Sequence, residues 1–212
     1  MIQLARDRIH LENPDHQIAS LATEFAARHV CRLPRFLGDE LLALLDARLP
    51  GAAFTARVED GVEIEQQLDD APLLGLFVIT LNDPRLFDFV ERVTGCPPIG
   101  CFKGRVYRRG RPDGRGQFYP WHTDVVGGRL VGLSINLGRD RYEGGLLQIR
   151  NAETEAPIAE IANTGHGDAM LFRISSAIEH QVTPVTGSTP RLVLAGWFCA
   201  EPRYSDFLAA RS

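Results

Sequence analysis

The segment Leu130-Val131-Gly132-Leu133-Ser134-Ile135-Asn136-Leu137 alternates apolar residues with small or polar ones. Successive side chains of an extended chain point to opposite faces. Val131, Leu133, Ile135 and Leu137 therefore share one face of a strand, and Gly132, Ser134 and Asn136 the other. Outward from this segment the same texture continues. Short apolar runs divided by Gly, Pro, Asn and Asp predict further strands near 102–108, 118–124, 146–150, 169–174, 181–185 and 192–199. Gly144-Gly145 and Thr186-Gly187 mark turns. So many strands without intervening helices predict a double-stranded β-helix, the jelly roll.

The first hundred residues read differently. Leu41, Leu42, Leu44, Leu45 and Leu49 form an apolar stripe of helical period, with Asp39 placed to cap its start and Pro50-Gly51 to end it. A second helix follows Asp83 as N-cap and Pro84 at the first helical position. Leu86, Val90 and Val93 make its core stripe, and Gly95 closes it. Leu21, Phe25 and Val30 are spaced too loosely to define a third. The expected fold is α+β and mainly β, in one domain over 1–212. A mainly helical support (1–100) packs on one sheet of a jelly-roll core (101–200), and a tail (201–212) follows.

A length of 212 residues is enough for one domain with a real hydrophobic interior. The net charge of −4 argues against a nucleic-acid partner, which would call for a strongly basic face. Of the cysteines, only Cys96 and Cys101 lie close in sequence, without a second pair at zinc-site spacing; reduced thiols and a cytoplasmic protein are expected. The N-terminus lacks the apolar core of a secretory signal. The longest apolar run, 73–81, is far shorter than the ~20 residues that cross a bilayer, so no membrane contact is expected.

The chemistry concentrates in four residues. His122 and Asp124 stand one residue apart, His180 follows 56 residues after the aspartate, and Arg191 comes 11 further on. On an extended strand His122 and Asp124 would face the same way, with His180 supplied by a neighbouring strand. Two imidazoles and a carboxylate suit a facial iron(II) site with open positions, although a catalytic zinc accepts the same set. Arg191 adds a planar guanidinium able to pair bidentately with a carboxylate. A second His-x-Asp, His166-Gly167-Asp168, sits among glycines that predict a bend with diverging side chains. The arginine-rich stretch 108–116 reads as a loop, either a lid attracting an anion or a solvated hairpin.

These residues resemble the iron(II)/2-oxoglutarate-dependent dioxygenase superfamily, most nearly its prolyl 4-hydroxylase-like branch. The likeness rests on His122-Thr123-Asp124, Glu143-Gly144-Gly145-Leu146, 167–172, His180 and 191–198. It implies that His122, Asp124 and His180 bind iron(II) and that Arg191 holds the distal carboxylate of the co-substrate 2-oxoglutarate. Tyr107 resembles a tyrosine that lines the co-substrate pocket in this branch. Asn136, on the small polar face of its strand, is a weaker candidate for the same pocket, and Trp197 falls on the face of Arg191. The implied reaction consumes dioxygen, hydroxylates an unactivated C–H bond and releases succinate and carbon dioxide. The halogenating relatives lack the carboxylate ligand, so Asp124 points to hydroxylation. Nucleic-acid demethylating relatives carry a second arginine where this chain has Trp197. A small-molecule substrate, such as an amino acid or natural-product intermediate, is favoured over a peptidyl (prolyl-type) one, which the length of 110–118 also leaves in doubt. The alternative from another class is a metal-binding jelly roll without turnover.

Overall fold

A computed structural model describes residues 2–6, 9–12, 14–59, 62–110, 119–162 and 165–200. The N-terminal half carries four helices, α1 (Pro14–Arg28), α2 (Asp39–Arg48), α3 (Ala71–Leu81) and α4 (Pro84–Thr94). It also carries strands β1 (Ile2–Leu4), β2 (Ile9–Leu11), β3 (Val30–Leu33), β4 (Phe54–Glu59) and β5 (Val62–Leu68). Then come β6 (Cys101–Arg109), β7 (Tyr119–His122), β8 (Arg129–Asn136), β9 (Glu143–Gly144) and β10 (Leu147–Asn151). β11 (Pro157–Ile161), β12 (Ala169–Arg173), β13 (Ile178–Val182), β14 (Val185–Thr186) and β15 (Arg191–Cys199) complete the described chain.

Two antiparallel sheets make the jelly roll. The larger runs β3-β12-β8-β15-β6-β5-β4 and the smaller β11-β10-β13-β7. They face each other as open sheets, not as a closed barrel. Their shared core holds Leu147, Ile149 and Ile178 from the smaller sheet against Val30 and Met170 from the larger. A second core lies on the other side of the larger sheet, where Phe25, Leu41, Leu73 and Phe89 from the four helices meet Val106, Leu133, Ile135 and Leu194. The helices therefore pack on one sheet, as expected, and the apolar face of 130–137 is the one that meets them.

Two local readings are corrected, and one helix is added. The N-terminal half is not simply helical: β3 extends one edge of the larger sheet and the antiparallel pair β4–β5 the other. Edge strands present unpaired N–H and C=O groups, and these additions cover them. The run 73–81 is helix α3, where Asp70 caps the start by accepting from the Leu73 N–H at 3.0 Å and Leu73, Phe77 and Leu81 are buried. The N-cap of α2 is Gly38, and Asp39 is the first helical residue, stabilising the positive end of the helix dipole rather than capping it. By contrast, α4 begins as read: Asp83 accepts from the Arg85 N–H at 2.8 Å, and Gly95 closes the helix at φ 66°.

Candidate metal centre and its cavity

His122 is the last residue of β7, and β13 pairs with β7 so that His180 stands directly opposite it. Their ring centroids lie 4.3 Å apart. Asp124 follows two residues after the strand ends, and its backbone is left-handed, with φ 59°. The same-side placement expected from strand alternation is thus achieved by a turn, which the Val126 N–H closes on the Asp124 carbonyl at 2.8 Å. Aspartate is among the few residues with a side chain that accept this region. His122 Nε2 lies 3.6 Å and His180 Nε2 3.4 Å from Asp124 Oδ2. One ligand atom from each residue lies within 4.8 Å of the others, the spacing of a group that can hold a metal ion.

Neighbouring groups orient this cluster. The Pro120 carbonyl, which can only accept, lies 2.6 Å from His122 Nδ1, so that nitrogen carries a proton and Nε2, the nitrogen that faces Asp124, is the one a metal could take. The Phe172 ring packs 4.8 Å from that of His180, in space left by Gly132, where a Cβ would lie 2.0 Å from Phe172 Cζ. Arg129 Nη1 donates to Asp124 Oδ1 at 2.6 Å and Trp197 Nε1 donates to Oδ2 at 2.8 Å. The Arg129 guanidinium in turn sits 3.5 Å from the Trp197 ring centroid. Sequence reading did not find Arg129. The only signal, an arginine five residues past Asp124 at the start of a strand, is too common to single out.

Burial would raise the Asp124 carboxyl, but hydrogen bonds from His122, His180 and Trp197 outweigh it and hold the group well below the usual carboxylate range. His180 is pushed down by burial, opposed by Asp124. His122, also penalised by burial, is raised by Asp124 and the Pro120 carbonyl. An anionic carboxylate beside a neutral His180 is the protonation state a cation requires.

Across the cavity, the larger sheet supplies the other half. Arg191 opens β15 and is buried, with 2% of its surface exposed. Its Nη1 donates to the Tyr107 hydroxyl at 3.4 Å and its Nη2 to Ser134 Oγ at 3.2 Å; the Tyr142 phenol also lies beside it. Its Nε is buried without a partner, and no carboxylate pairs with it among the described residues. A guanidinium so deeply buried without an acid is costly unless an anion arrives. Donor set and orphaned cation together fit iron(II) and a dicarboxylate co-substrate. The cavity between the sheets measures about 340 Å³ and is walled by Leu147, Met170, Phe172 and Val182.

The other candidates fall elsewhere. Tyr107 lines the cavity, as read. Asn136 does not: its Nδ2 donates to the Gly138 and Gly165 carbonyls and its Oδ1 accepts from the Gly138 N–H, so it ties two loops beyond the strand end. Ser134, two residues earlier on the same face, reaches Arg191 instead. His166 turns to Asp46 at 3.2 Å while Asp168 accepts from the Arg35 N–H, so the second His-x-Asp does diverge. Within 108–116, Arg108 and Arg109 belong to β6, where Arg109 pairs with Glu65, and 111–116 lie outside the described residues. The tail 201–212 lies outside them too. No described helix is long and apolar enough to cross a membrane.

Residues 104–199 match the family model of the 2OG-Fe(II) oxygenase superfamily. No curated protein matches the sequence. Among solved structures, a Pseudomonas putida prolyl-4-hydroxylase superposes with TM-score 0.64 at 18% identity, covering 87% of this chain and 100% of that one. A Trichoplax adhaerens prolyl hydroxylase in complex with a hypoxia inducible factor peptide fragment gives 0.59 at 15%, with 93% of each chain covered. The non-heme alpha ketoglutarate dependent epimerase SnoN from nogalamycin biosynthesis gives 0.61 at 14%, over 87% of this chain and 81% of that one. At these identities the structural likeness is one of fold. The family match agrees with the superfamily resemblance read from the motifs, and the neighbours agree with the expected fold.

Proposed function

We propose, from the match of residues 104–199 to the 2OG-Fe(II) oxygenase superfamily, that this protein is an iron(II)- and 2-oxoglutarate-dependent hydroxylase of a small molecule, such as an amino acid or natural-product intermediate. His122, Asp124 and His180 hold the iron, and Arg191 receives the distal carboxylate of 2-oxoglutarate. The observation that carries this reading is Arg191, a buried guanidinium with hydroxyl partners but no acid among the described residues, in the cavity that also exposes the three donors. Iron and 2-oxoglutarate, when bound, supply dioxygen chemistry strong enough to oxidise an unactivated C–H bond, with succinate and carbon dioxide released.

The chain's own part is to bind, orient and keep dry. Asp124 lowers the charge of the bound ion by one and is held by Arg129 and Trp197. The Pro120 carbonyl keeps the His122 Nε2 lone pair aimed at it. The Tyr107 and Ser134 hydroxyls fix the plane of the Arg191 guanidinium so that one carboxylate orientation is preferred. Leu147, Met170, Phe172 and Val182 exclude water around the reacting groups. A peptidyl, prolyl-type substrate is the second reading, favoured by a likeness that spans the whole Pseudomonas putida prolyl-4-hydroxylase chain.

Anaerobically purified protein given iron(II), 2-oxoglutarate and then oxygen is expected to form succinate slowly without added substrate. His122→Ala should abolish this, and Arg191→Ala should raise the 2-oxoglutarate requirement by about 10- to 100-fold, as for a lost charged hydrogen bond. Bound iron with no succinate, even with amino-acid and prolyl-peptide substrates added, would instead indicate a metal-binding jelly roll without turnover.

A further inference from the structure

The two histidines of the metal centre stand on different strands, and one of those strands is weakly held. Among the described residues β7 is an edge of the smaller sheet, four residues long. It pairs with β13 at two register positions with an irregularity between them. Pro120, inside β7, has no N–H to give to a ladder. So short and interrupted a pairing constrains offset and twist poorly. The donors of a metal site must nevertheless keep their places to within about 0.5 Å.

The outer face of the same sheet supplies the missing constraint. His122 and His180 line the cavity, so strand alternation turns their preceding neighbours, Trp121 and Glu179, outward. Arg150, on β10, stands in register opposite Glu179, and Ile149 beside it stands opposite His180. The Arg150 Nε donates to Glu179 Oε2 at 2.8 Å, and its Nη2 lies 2.7 Å from the same oxygen. Its guanidinium carbon lies 4.4 Å from the ring centroid of Trp121. One planar cation therefore spans from β10 past β13 to β7 and grips the residue before each histidine. The Arg150 and Glu179 side chains are 19% and 23% exposed, so water screens their contact only in part. A third contact, from Nη1 to Glu155 at 3.4 Å, reaches an acid that is 69% exposed.

We infer that Arg150 is a positioning residue of the metal centre. By fastening Trp121 to Glu179 from outside the cavity, it sets the spacing and tilt of His122 against His180. This rests on the metal centre proposed above and adds to it a residue that does not line its cavity. A guanidinium suits the task because its flat face stacks on an indole while its edge donates to a carboxylate. An exposed ion pair by itself contributes little. Here both ends of the contact are attached to strands that carry the ligands, so a small shift at the outer face is passed directly to the donors.

Two measurements on the metal-free protein test this: calorimetric titration with manganese(II), and the ligand-field absorption of the cobalt(II) form at saturation. Arg150→Met keeps an unbranched stem and removes the cation. It is expected to weaken manganese(II) binding by about 10-fold and to shift the cobalt bands, because His122 no longer keeps its place. Arg150→Lys, which leaves a cation between Trp121 and Glu179, should recover most of the affinity. Glu155→Gln removes only the third contact and should bind within about twofold of wild type. Glu179→Gln loosens the grip without emptying the position, so it should show a smaller loss, and it serves should Arg150→Met fail to fold. A merely structural role would lower the melting temperature and leave affinity and cobalt spectrum as in wild type. That result, in whichever of Arg150→Met and Glu179→Gln folds, overturns the inference alone. Wild-type protein that takes up neither ion overturns the metal-centre reading and the inference with it.

Discussion

Asp124 combines three constraints: a left-handed backbone, a carboxylate well below the usual range, and two further donors, Arg129 on Oδ1 and Trp197 on Oδ2. A carboxylate held this way gains in aim what it loses in freedom. Arg129 is the more informative partner, because it grips Oδ1 and stacks on Trp197, so its loss loosens both contacts. Arg129→Gln is expected to weaken iron(II) or manganese(II) binding by about 10- to 100-fold, with thermal stability of the metal-free protein little changed. Direct titration of the ion checks it. Unchanged affinity would mean that the turn at Asp124 suffices to aim the carboxylate.

At the scale of elements, local pattern and tertiary demand are separable. Helix α4 was legible because its start, stripe and stop are all local: Asp83, Pro84, the Leu86-Val90-Val93 spacing and Gly95. Asp83→Ala should cost about 1 kcal/mol, the usual worth of an N-cap, read by chemical denaturation with an unchanged m-value. Strands β8, β12 and β15 were legible for a similar reason, since each alternates or runs apolar over five to nine residues. Strands β4 and β5 were not. Their apolar residues do alternate, Phe54, Ala56 and Val58 with polar neighbours and then Val62 and Ile64, but they lie among Glu, Gln and Arg and do not stand out; β5 gains its place in the sheet by pairing with the edge of β6. Asn136 shows the limit of face counting. It shares a face with Ser134, but the cavity ends before the strand does.

For the molecule as a whole, the buried Glu65 links the N-terminal sheet extension to the jelly roll. Burial would raise its carboxyl, yet the hydrogen bonds from Arg105 and Arg109 bring it below the ordinary value. A carboxyl depressed on folding contributes stability above its unfolded pKa, about 4.3, and that contribution is lost as pH falls through the folded value. Wild-type protein should therefore lose melting temperature below about pH 4.3 more steeply than Glu65→Gln. At neutral pH the variant should be less stable by about 3–5 kcal/mol, because two guanidiniums lose their shared acid. Melting curves across that range decide it. A second whole-molecule expectation concerns the ion. Manganese(II) at 100 times its dissociation constant should stabilise the fold by about 2.7 kcal/mol, and His122→Ala should remove the effect.

The jelly roll and its helical support were legible in the amino-acid order, as were His122, Asp124, His180 and Arg191 as candidates, because strand alternation, caps and donor types are read locally. What folding alone decided lies between residues distant in the chain. The pairing of β13 with β7 sets His180 against His122, and a left-handed turn past the strand end, not alternation, turns Asp124 toward them. Sheet register brings Trp197 to Asp124 across 73 positions and Glu65 to Arg105 across 40. A contact of that kind depends on which strands become neighbours, and no local period in the sequence encodes it.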